Sequence, residues 1–272
     1  MRFAICNELF EGRPLAATAH FLAGLGYEGL ELAPFTLGNA PTDVSAQERR
    51  EICETIRGAG LAVVGLHWLL ARTEGFHLTS PEPSVRQRTA ERLAELTHLC
   101  ADLGGDLMVL GSPQQRSLAP GIAPDEGRRL AADTLARVLP TLTERDVDLC
   151  LEPLGPSETN FLNTCAEALE LAAELDHPRI QLHLDVKALV SEPTDLVTLL
   201  QRHAGQARHF HANDPNRRGP GFGPQDFRPI LATLRTAGYS GWVSIEVFDF
   251  TPDPETIARQ SLAYLRECAA TG

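Results

Sequence analysis

The sequence predicts a (β/α)8 barrel from its alternating pattern, its loop lengths and one missing motif. Eight short runs rich in Val, Ile and Leu alternate with longer amphipathic stretches, which is typical of parallel strands joined by crossover helices. The segments before the runs are short and often carry glycine, whereas the segments after them are long. Long loops at the carboxyl ends of the strands build the active site of such a barrel. No G-x-G-x-x-G follows the first run, which disfavours a dinucleotide-binding open sheet.

Strands, helices and loops can each be assigned to ranges. The apolar runs predict strands over 2–6, 29–33, 62–68, 106–111, 147–153, 180–186, 207–213 and 242–248. The stretches between them predict helices over 14–25, 45–59, 84–103, 127–143, 164–175 and 226–237. Ser45 begins an S-A-Q-E capping box, Thr164 begins T-C-A-E, and Pro254 follows Asp253 at a further helix start. The loops that follow strands are expected over 34–44, 69–83, 112–126, 154–163, 188–194 and 212–225.

The composition restricts the classes of partner. A net charge of −12, from 24 Lys+Arg against 36 Asp+Glu, disfavours nucleic acid and anionic membrane surfaces, which require basic patches. The six cysteines include no C-x-x-C pair, which indicates reduced thiols in the cytoplasm rather than a zinc cluster. No window approaches the roughly 20 apolar residues of a membrane span. We expect a soluble cytoplasmic protein with one barrel domain over residues 1–272, and a homo-oligomer is compatible with it.

Four consecutive predicted strands each end in a metal-ligand type of side chain that faces the lumen. Side chains alternate between the two faces of a strand, so His183 and Asp185 share one face of the run 180–186 and the leucines share the other. The polar face is the one that lines the barrel. The same alternation gives one inward ligand-type residue at each of the four strand ends: Glu152, Asp185, His211 and Glu246.

Three carboxylates that point into one lumen repel each other, and this repulsion predicts a bound cation. Without one, their pKa values would rise or the end of the barrel would lose stability. Three oxygen donors and one imidazole suit Mn²⁺, Mg²⁺ or Co²⁺, and Zn²⁺ also accepts such ligands. The alternative, in which each acidic group pairs with an arginine, needs several separate buried ion pairs that each overcome desolvation. One divalent metal is the more economical interpretation.

Several segments are together similar to one known family. These are GYEGLEL, LEPLGPSETNFLNT, LHLDVKA, HFHANDPNRRGPGFGPQDF and GYSGWVSIEVF, which span nearly the whole chain. They resemble the xylose-isomerase-like barrel superfamily, and within it the sugar-phosphate isomerase/epimerase group that includes ketose 3-epimerases and hydroxypyruvate isomerase. The resemblance implies one divalent metal on the four residues above and a small carbohydrate substrate. It also implies that Glu158 and Arg217 bind the sugar.

The resemblance further implies that the two metal-bound glutamates lie on opposite faces of a substrate carbon. We therefore predict Glu152 and Glu246 as an acid/base pair that removes a proton beside a carbonyl and returns one through a metal-stabilised enediolate. Return of the proton to the opposite face of the same carbon is epimerisation. Return to the neighbouring carbon is aldose–ketose isomerisation.

One position departs from the ketose epimerases. Those enzymes have a sugar-binding histidine three residues after the aspartate ligand, where this chain has Ala188. The only lysine of the chain, Lys187, stands two positions past Asp185 and is predicted on the same inward face, in contact with the substrate. An amine in this place can also protonate a leaving hydroxyl. A lyase that dehydrates an inosose or keto sugar is therefore the alternative function, and the product mass distinguishes the two.

Other polar residues lie at or near the predicted strand ends. His67 is predicted to contact the substrate at the end of the third strand. Glu31 either binds substrate hydroxyls or pairs with an arginine, and the loop 114–116 either holds a polar substrate tail or forms a plain turn. His183 and His209 are expected one layer beneath the ligands.

Two other functions are compatible with a barrel of this kind. Endonuclease IV shares the fold, but it needs a multi-zinc cluster with more histidines and a basic groove, which the net charge and the single histidine among the four ligands disfavour. A sugar-binding barrel without catalytic activity is the second, because a fold does not dictate a function.

Overall fold

Eight parallel strands close into a barrel in the order in which they occur along the chain. The computed structural model describes residues 1–271, and it confirms the predicted (β/α)8 barrel. Every strand lies inside one of the predicted apolar runs, and most runs extend beyond the carboxyl end of the strand into the following loop. The strands are β1 (Arg2–Cys6), β2 (Gly29–Leu32), β3 (Ala62–Leu66), β4 (Leu107–Leu110), β5 (Asp148–Leu151), β6 (Ile180–Asp185), β7 (Ala207–Ala212) and β8 (Trp242–Ile245).

Helices surround the barrel between successive strands. Their bounds are α1 (Leu15–Leu25), α2 (Ala46–Gly58), α3 (Pro83–Leu103), α4 (Pro124–Ala136), α5 (Leu139–Arg145), α6 (Cys165–Leu175), α7 (Val186–Leu189), α8 (Leu196–His203), α9 (Arg228–Thr236) and α10 (Pro254–Thr271). The predicted cap at Ser45 is confirmed, since its side chain accepts a hydrogen bond from the Glu48 N–H. Thr164 caps α6 in the same way through the Glu167 N–H.

The helical predictions were wrong at two places. The stretch 127–143 forms two helices, α4 and α5, instead of one, and Pro140 lies in the first turn of α5. Proline has no N–H to donate and disfavours helical backbone in the residue before it, so the helical ladder breaks here. The short helices α7 and α8 were not predicted, and α7 occupies the start of the segment 188–194 that was expected to be a loop.

The barrel lumen contains layers of different chemistry. At its amino-terminal end lies a small apolar cluster of Ala4, Val64, Leu107, Val109, Cys150 and Trp242. Further along the strands come buried polar side chains, among them Glu31, His183, His209 and Ser244. The candidate ligands follow at the carboxyl ends. The opposite strand faces pack against the helices in the main hydrophobic core. The two-residue alternation along each strand thus separates a polar lumen from an apolar outer layer.

The loops at the carboxyl ends of the strands are bonded to one another. The Leu78 N–H, in the loop after β3, donates to the carbonyl of Gln115 in the loop after β4, at 2.7 Å. The Leu118 N–H donates to the Asn160 side chain in the loop after β5, at 2.6 Å. These bonds make a continuous rim on one side of the barrel mouth. Within residues 1–271 no helix is long and apolar enough to cross a membrane.

A glycine allows β3 and β4 to approach each other closely. Gly65 pairs in register with Leu107, and a Cβ atom at Gly65 would overlap the Leu107 carbonyl group. We expect Gly65→Ala to lower the free energy of unfolding by about 1–3 kcal/mol, because the two strands must separate to admit the methyl group. Urea unfolding followed by circular dichroism measures the change.

Gly58 provides the matched control for this substitution. It is the last residue of α2, and nothing lies within 4 Å of a Cβ built there. Gly58→Ala should leave stability unchanged or raise it by up to about 1 kcal/mol. Equal effects of the two substitutions would contradict the close approach at Gly65.

Candidate functional site

The four predicted ligands meet at the carboxyl end of the lumen. Glu152 lies one residue beyond β5, Asp185 ends β6, His211 is on β7, and Glu246 lies one residue beyond β8. All four are buried, with at most 5% of their surface exposed. Strand alternation therefore placed them correctly in the lumen, because each strand keeps its two-residue period up to its last hydrogen-bonded residue.

A cavity of about 400 Å³ opens above these residues. Glu152 and Glu246 line its floor, while Asp185 and His211 are not among its lining residues. Three of the four predicted substrate-binding residues also line it, and the wall residues around them come from the loops after β3, β4, β5, β6, β7 and β8. The lining comprises Trp68, Ala71, Arg72, Gly111, Ser112, Pro113, Gln114, Gln115, Glu152, Leu154, Glu158, Lys187, Arg217, Glu246 and Phe248.

The donor atoms are close enough to bind one cation. Ligand atoms of Glu152, His183, Asp185 and His211 lie within 4.8 Å of one another. Glu246 adjoins this group through its Oε2 atom, 3.2 Å from Nδ1 of His211. His183, which was expected to lie a layer beneath, thus approaches the ligands more closely than its place in the strand indicated.

Several of these donors also lack hydrogen-bond partners. Both ring nitrogens of His183 are buried without one among the described residues, and Nδ1 of His211 and Oε2 of Glu246 have only their contact with each other at 3.2 Å. A buried polar atom without a partner is costly, and a divalent cation would satisfy these atoms. The residues present therefore fit a metal.

Asp185 is held by the chain that follows it. One carboxylate oxygen accepts a hydrogen bond from the Ala188 N–H at 2.8 Å, which makes Asp185 the N-cap of α7. The other accepts a hydrogen bond from the Asn213 side-chain amide. Asn213 was not among the sequence candidates, and only its position two residues after His211 hinted at a role. The two bonds fix the orientation of the carboxylate toward the lumen.

Glu31 orients His211 from below. Its carboxylate lies 3.1 Å from Nε2 of His211 and 2.8 Å from Nε2 of His209. Burial raises the pKa of Glu31, but the two imidazoles outweigh burial and hold it well below its usual range. The predicted arginine partner is therefore wrong, and Glu31 is too deep to reach the cavity. A carboxylate on one ring nitrogen leaves the other, Nδ1, directed at the candidate metal site.

The two glutamates on the cavity floor have different environments. Burial, together with repulsion from Glu246 and Asp185, raises the pKa of Glu152 to about 8. Burial also disfavours the charge on Glu246, but His211 and His67 outweigh it and hold the pKa of Glu246 well below its usual range. Near neutral pH, and without a metal, Glu152 is therefore the protonated partner and Glu246 the ionised one.

Gly111 makes room for the Glu152 carboxyl group. A Cβ atom at position 111 would overlap Oε2 of Glu152. Behind the same strand end, the fully buried Arg116 donates from Nη1 to the carbonyl oxygen of Glu152 at 2.6 Å. Burial lowers the pKa of Arg116 to about 10, partly offset by the charge of Glu152. Arg116 thus supports the backbone and does not line the cavity, whereas Gln114 and Gln115 do.

Lys187 lines the cavity, but for a different reason from the one predicted. β6 ends at Asp185, so Lys187 lies on the helical turn α7 and strand alternation does not apply to it. Its Nζ atom is 2.6 Å from Oε2 of Glu158 and 4.8 Å from the ring centre of Phe248. Arg217 approaches the other side of the cavity mouth, with its guanidinium 5.8 Å from the same ring. The predicted pair Glu158 and Arg217 therefore faces one opening.

His67 does not line the cavity, which corrects its predicted contact with the substrate. It is fully buried, with Nε2 3.0 Å from Oε2 of Glu8 and Nδ1 3.4 Å from Oε1 of Glu246. The next residue, Trp68, occupies the cavity wall. Strand β3 ends at Leu66. The turn that follows directs the indole of Trp68 toward the cavity and leaves the imidazole of His67 buried behind the indole. Glu8, buried beside His67, was not recognised from the sequence.

These features define a (β/α)8 barrel with a candidate metal centre at the carboxyl ends of its strands. The chain belongs to the xylose isomerase-like TIM barrel family, whose model matches residues 19–268. This finding confirms the family resemblance that the sequence segments indicated.

Curated relatives and solved structures are consistent with this family. The chain is 27% identical to a ketose 3-epimerase of Arthrobacter globiformis over 244 residues, which cover 86% of this chain and 81% of the relative. It is 32% identical to a 3-dehydro-D-guloside 4-epimerase of Escherichia coli (strain K12) over 145 residues, which cover 53% of this chain and 55% of that protein. A crystal structure of D-psicose 3-epimerase in the presence of D-fructose superimposes with a TM-score of 0.87 at 18% identity, covering 99% of both chains. At that identity the superposition supports the fold.

The contact of Glu31 with His211 predicts its effect on metal binding. Glu31→Gln replaces the ionised oxygen that fixes the imidazole, so the affinity for Mn²⁺ should fall by about 10–100-fold. Isothermal titration calorimetry measures the change. Glu54→Gln, on the exposed face of α2, is the control and should bind Mn²⁺ like the unmodified chain. Equal affinities for all three proteins would contradict the proposed orientation of His211.

The raised pKa of Glu152 predicts a pH dependence of stability for the metal-free protein. Between its usual value of 4.5 and its folded value of about 8, the folded state holds a proton that the unfolded state has lost. The free energy of unfolding contributed by Glu152 therefore decreases as pH rises across this window. Urea unfolding at pH 5 to 8 should show that the unmodified protein loses stability relative to Glu152→Gln. A pH-independent difference between the two would contradict the raised pKa.

Proposed function

We propose that this chain is a divalent-metal-dependent isomerase or epimerase of a small sugar or polyhydroxy carbonyl compound. The observation that carries the proposal is the pair of glutamates, Glu152 and Glu246, that enter one cavity from strands three places apart in the barrel, beside the cluster of candidate metal donors. Relatives named as ketose 3-epimerases and as a 3-dehydro-D-guloside 4-epimerase support the same class of reaction.

The proposed ligands are Glu152, Asp185, His211 and Glu246. A set dominated by carboxylate oxygens favours Mn²⁺, Mg²⁺ or Co²⁺, with Zn²⁺ as a further option. When bound, the metal would supply a Lewis acid that stabilises negative charge on neighbouring substrate oxygens. His183 is close enough to join or replace one of the four ligands.

The chain's own residues provide the proton transfers. One of the two glutamates, in its ionised form, accepts the proton from the substrate carbon beside the carbonyl, and the electron pair of the broken C–H bond moves toward the carbonyl oxygen. The other glutamate, in its protonated form, then donates a proton to carbon. Donation to the opposite face of the same carbon re-forms the carbonyl and inverts that centre. Donation to the former carbonyl carbon, with transfer of the neighbouring hydroxyl proton to the former carbonyl oxygen, gives the isomer. Glu158 and Arg217 would orient substrate oxygens at the cavity mouth.

Lys187 favours a second candidate function. Its amine lies at the cavity wall, hydrogen-bonded to Glu158, and Ala188 stands where the ketose epimerases have histidine. After the same C–H cleavage, an ammonium proton from Lys187 can be transferred to a β-hydroxyl group, which leaves as water. The chain would then be a dehydratase of an inosose or keto sugar. Loss of the mass of one water from the product identifies this outcome.

Three further properties belong to the proposal. We propose that residues 1–272 form one barrel domain, because a single closed barrel uses all eight strands. The six cysteines are free and buried, which supports a reducing compartment such as the cytoplasm. A homo-oligomer is compatible with the barrel.

Solvent exchange tests the proton transfer. The Mn²⁺-loaded protein is incubated in D₂O with a panel of ketoses, inososes and keto sugars, and the products are analysed by mass spectrometry and NMR. Deuterium should enter at a carbon beside the carbonyl of at least one compound. Glu152→Gln should abolish the exchange, because the amide has no acidic proton, whereas Glu158→Gln should mainly raise KM.

Two results would count against the proposal. The first is the absence of exchange with every panel compound while metal analysis finds about one ion per chain. The second is undiminished exchange in Glu152→Gln with its metal content preserved.

A further inference from the structure

A tryptophan holds one of the two glutamates and not the other. The indole Nε1–H of Trp68 donates to Oε1 of Glu246 at 2.6 Å. Among the described residues, no side-chain donor lies within hydrogen-bond distance of the Glu152 carboxyl group, whose nearest imidazole nitrogen, on His183, is 3.9 Å away.

The backbone of Trp68 adopts a conformation that a large side chain rarely takes. Its φ angle is 51°, in the left-handed region, and its carbonyl accepts a hydrogen bond from the Ala71 N–H in a tight turn. The turn places Leu69 and Leu70 in the hydrophobic core while the indole faces the cavity. An unfavourable backbone conformation is retained only when the surroundings enforce it, and such residues concentrate at functional sites.

Two aromatic rings hold the indole in place. Phe248 stacks on it with ring centres 5.8 Å apart and planes inclined by 24°. Phe35 packs against it at 5.9 Å. These rings come from the loops after β8 and β2, so Trp68 joins three loops of the barrel mouth. A side chain restrained in this way presents its N–H in one direction, which is the property that a positioning group requires.

Glu246 is thereby fixed at both oxygens. Oε1 receives the Trp68 N–H and lies 3.4 Å from Nδ1 of His67, whose other nitrogen is 3.0 Å from Glu8. Oε2 lies 3.2 Å from Nδ1 of His211, beside the candidate metal donors. The contacts of Oε1 with Trp68 at 2.6 Å and with His67 at 3.4 Å together restrict the rotation of the carboxylate.

We propose that Trp68 is a positioning residue for proton transfer at Glu246. Its N–H fixes the rotation of the carboxylate, so that Oε2 remains beside the candidate metal donors and the carboxylate stays presented to the cavity. This inference rests on the proposed function. If Trp68 only formed the cavity wall, its aromatic surface would be sufficient. A phenylalanine at position 68 would then serve equally well.

The hydrogen bond is tested without any substrate. The chain has two tryptophans, so the ¹H–¹⁵N spectrum of the Mg²⁺-loaded protein should contain two indole signals, which Trp68→Phe and Trp242→Phe assign. Glu246→Gln should shift the Trp68 signal and leave the Trp242 signal in place. Glu158→Gln, which alters another glutamate of the same cavity, should shift neither. A Trp68 signal that does not respond to Glu246→Gln overturns the inference.

Kinetics test the positioning role. Trp68→Phe keeps an aromatic wall but removes the donor, so kcat for solvent exchange or product formation should fall by about 10–100-fold while KM stays nearly constant. Benzothienylalanine at position 68, which keeps both rings and replaces the N–H by sulfur, should cause the same fall. Phe248→Leu keeps the donor and removes one of the two rings that hold the indole, so kcat should fall by less than in Trp68→Phe. Thermal melting of the metal-loaded variants verifies that each is folded.

The possible results separate the inference from the proposed function. Unchanged kcat in Trp68→Phe or in the benzothienylalanine protein, with the unmodified chain active, would overturn the role of Trp68 alone. If Phe248→Leu lowered kcat as much as Trp68→Phe does, with KM equally unaffected, the role of Trp68 would also be overturned. Residues that only form the cavity wall would give that result. Absence of exchange in the unmodified chain would instead contradict the proposed function, and the inference with it.

Discussion

Five carboxyl groups and four imidazoles are buried together at the carboxyl end of the barrel lumen, and the balance of their charges governs the site. They are Glu8, Glu31, Glu152, Asp185, Glu246, His67, His183, His209 and His211, none more than 5% exposed. Buried carboxylates are costly unless they are paired. The imidazoles pair Glu31 and Glu246, but Glu152 is left with little compensation. Metal binding would remove this imbalance, which couples the proposed cofactor to the stability of the fold.

The same balance makes two chemically identical side chains different. Glu152 lies near two other carboxyl groups, while Glu246 lies among His211, His67 and Trp68. Without a metal, these surroundings move the pKa values of the two carboxyl groups in opposite directions. The lower layer of the lumen supports the arrangement, because Glu31 orients His211 before any ligand binds.

The loops add the features that select a substrate. A cavity of about 400 Å³ is of a size for a small molecule, and its wall combines the stacked rings of Trp68 and Phe248 with the cations Lys187 and Arg217. In the proposed function the residues of the barrel lumen would transfer protons, whereas these loop residues would bind and orient the substrate. The exchange of histidine for Ala188, beside Lys187, changes this outer layer and leaves the inner one intact.

The sequence by itself determined the barrel and the four candidate ligands. Strand side chains alternate with a period of two, and because the apolar face of each strand packs against the helices, the polar face points into the lumen. The sequence did not determine where each strand ends. Lys187 therefore reaches the cavity from the helical turn α7 and not from the strand, and His67 lies outside the cavity lining. Nor did it determine the partners: the Trp68–Glu246 and Glu31–His211 contacts join residues 178 and 180 positions apart. Such contacts exist only once β8 closes onto β1, so the tertiary structure alone decided them.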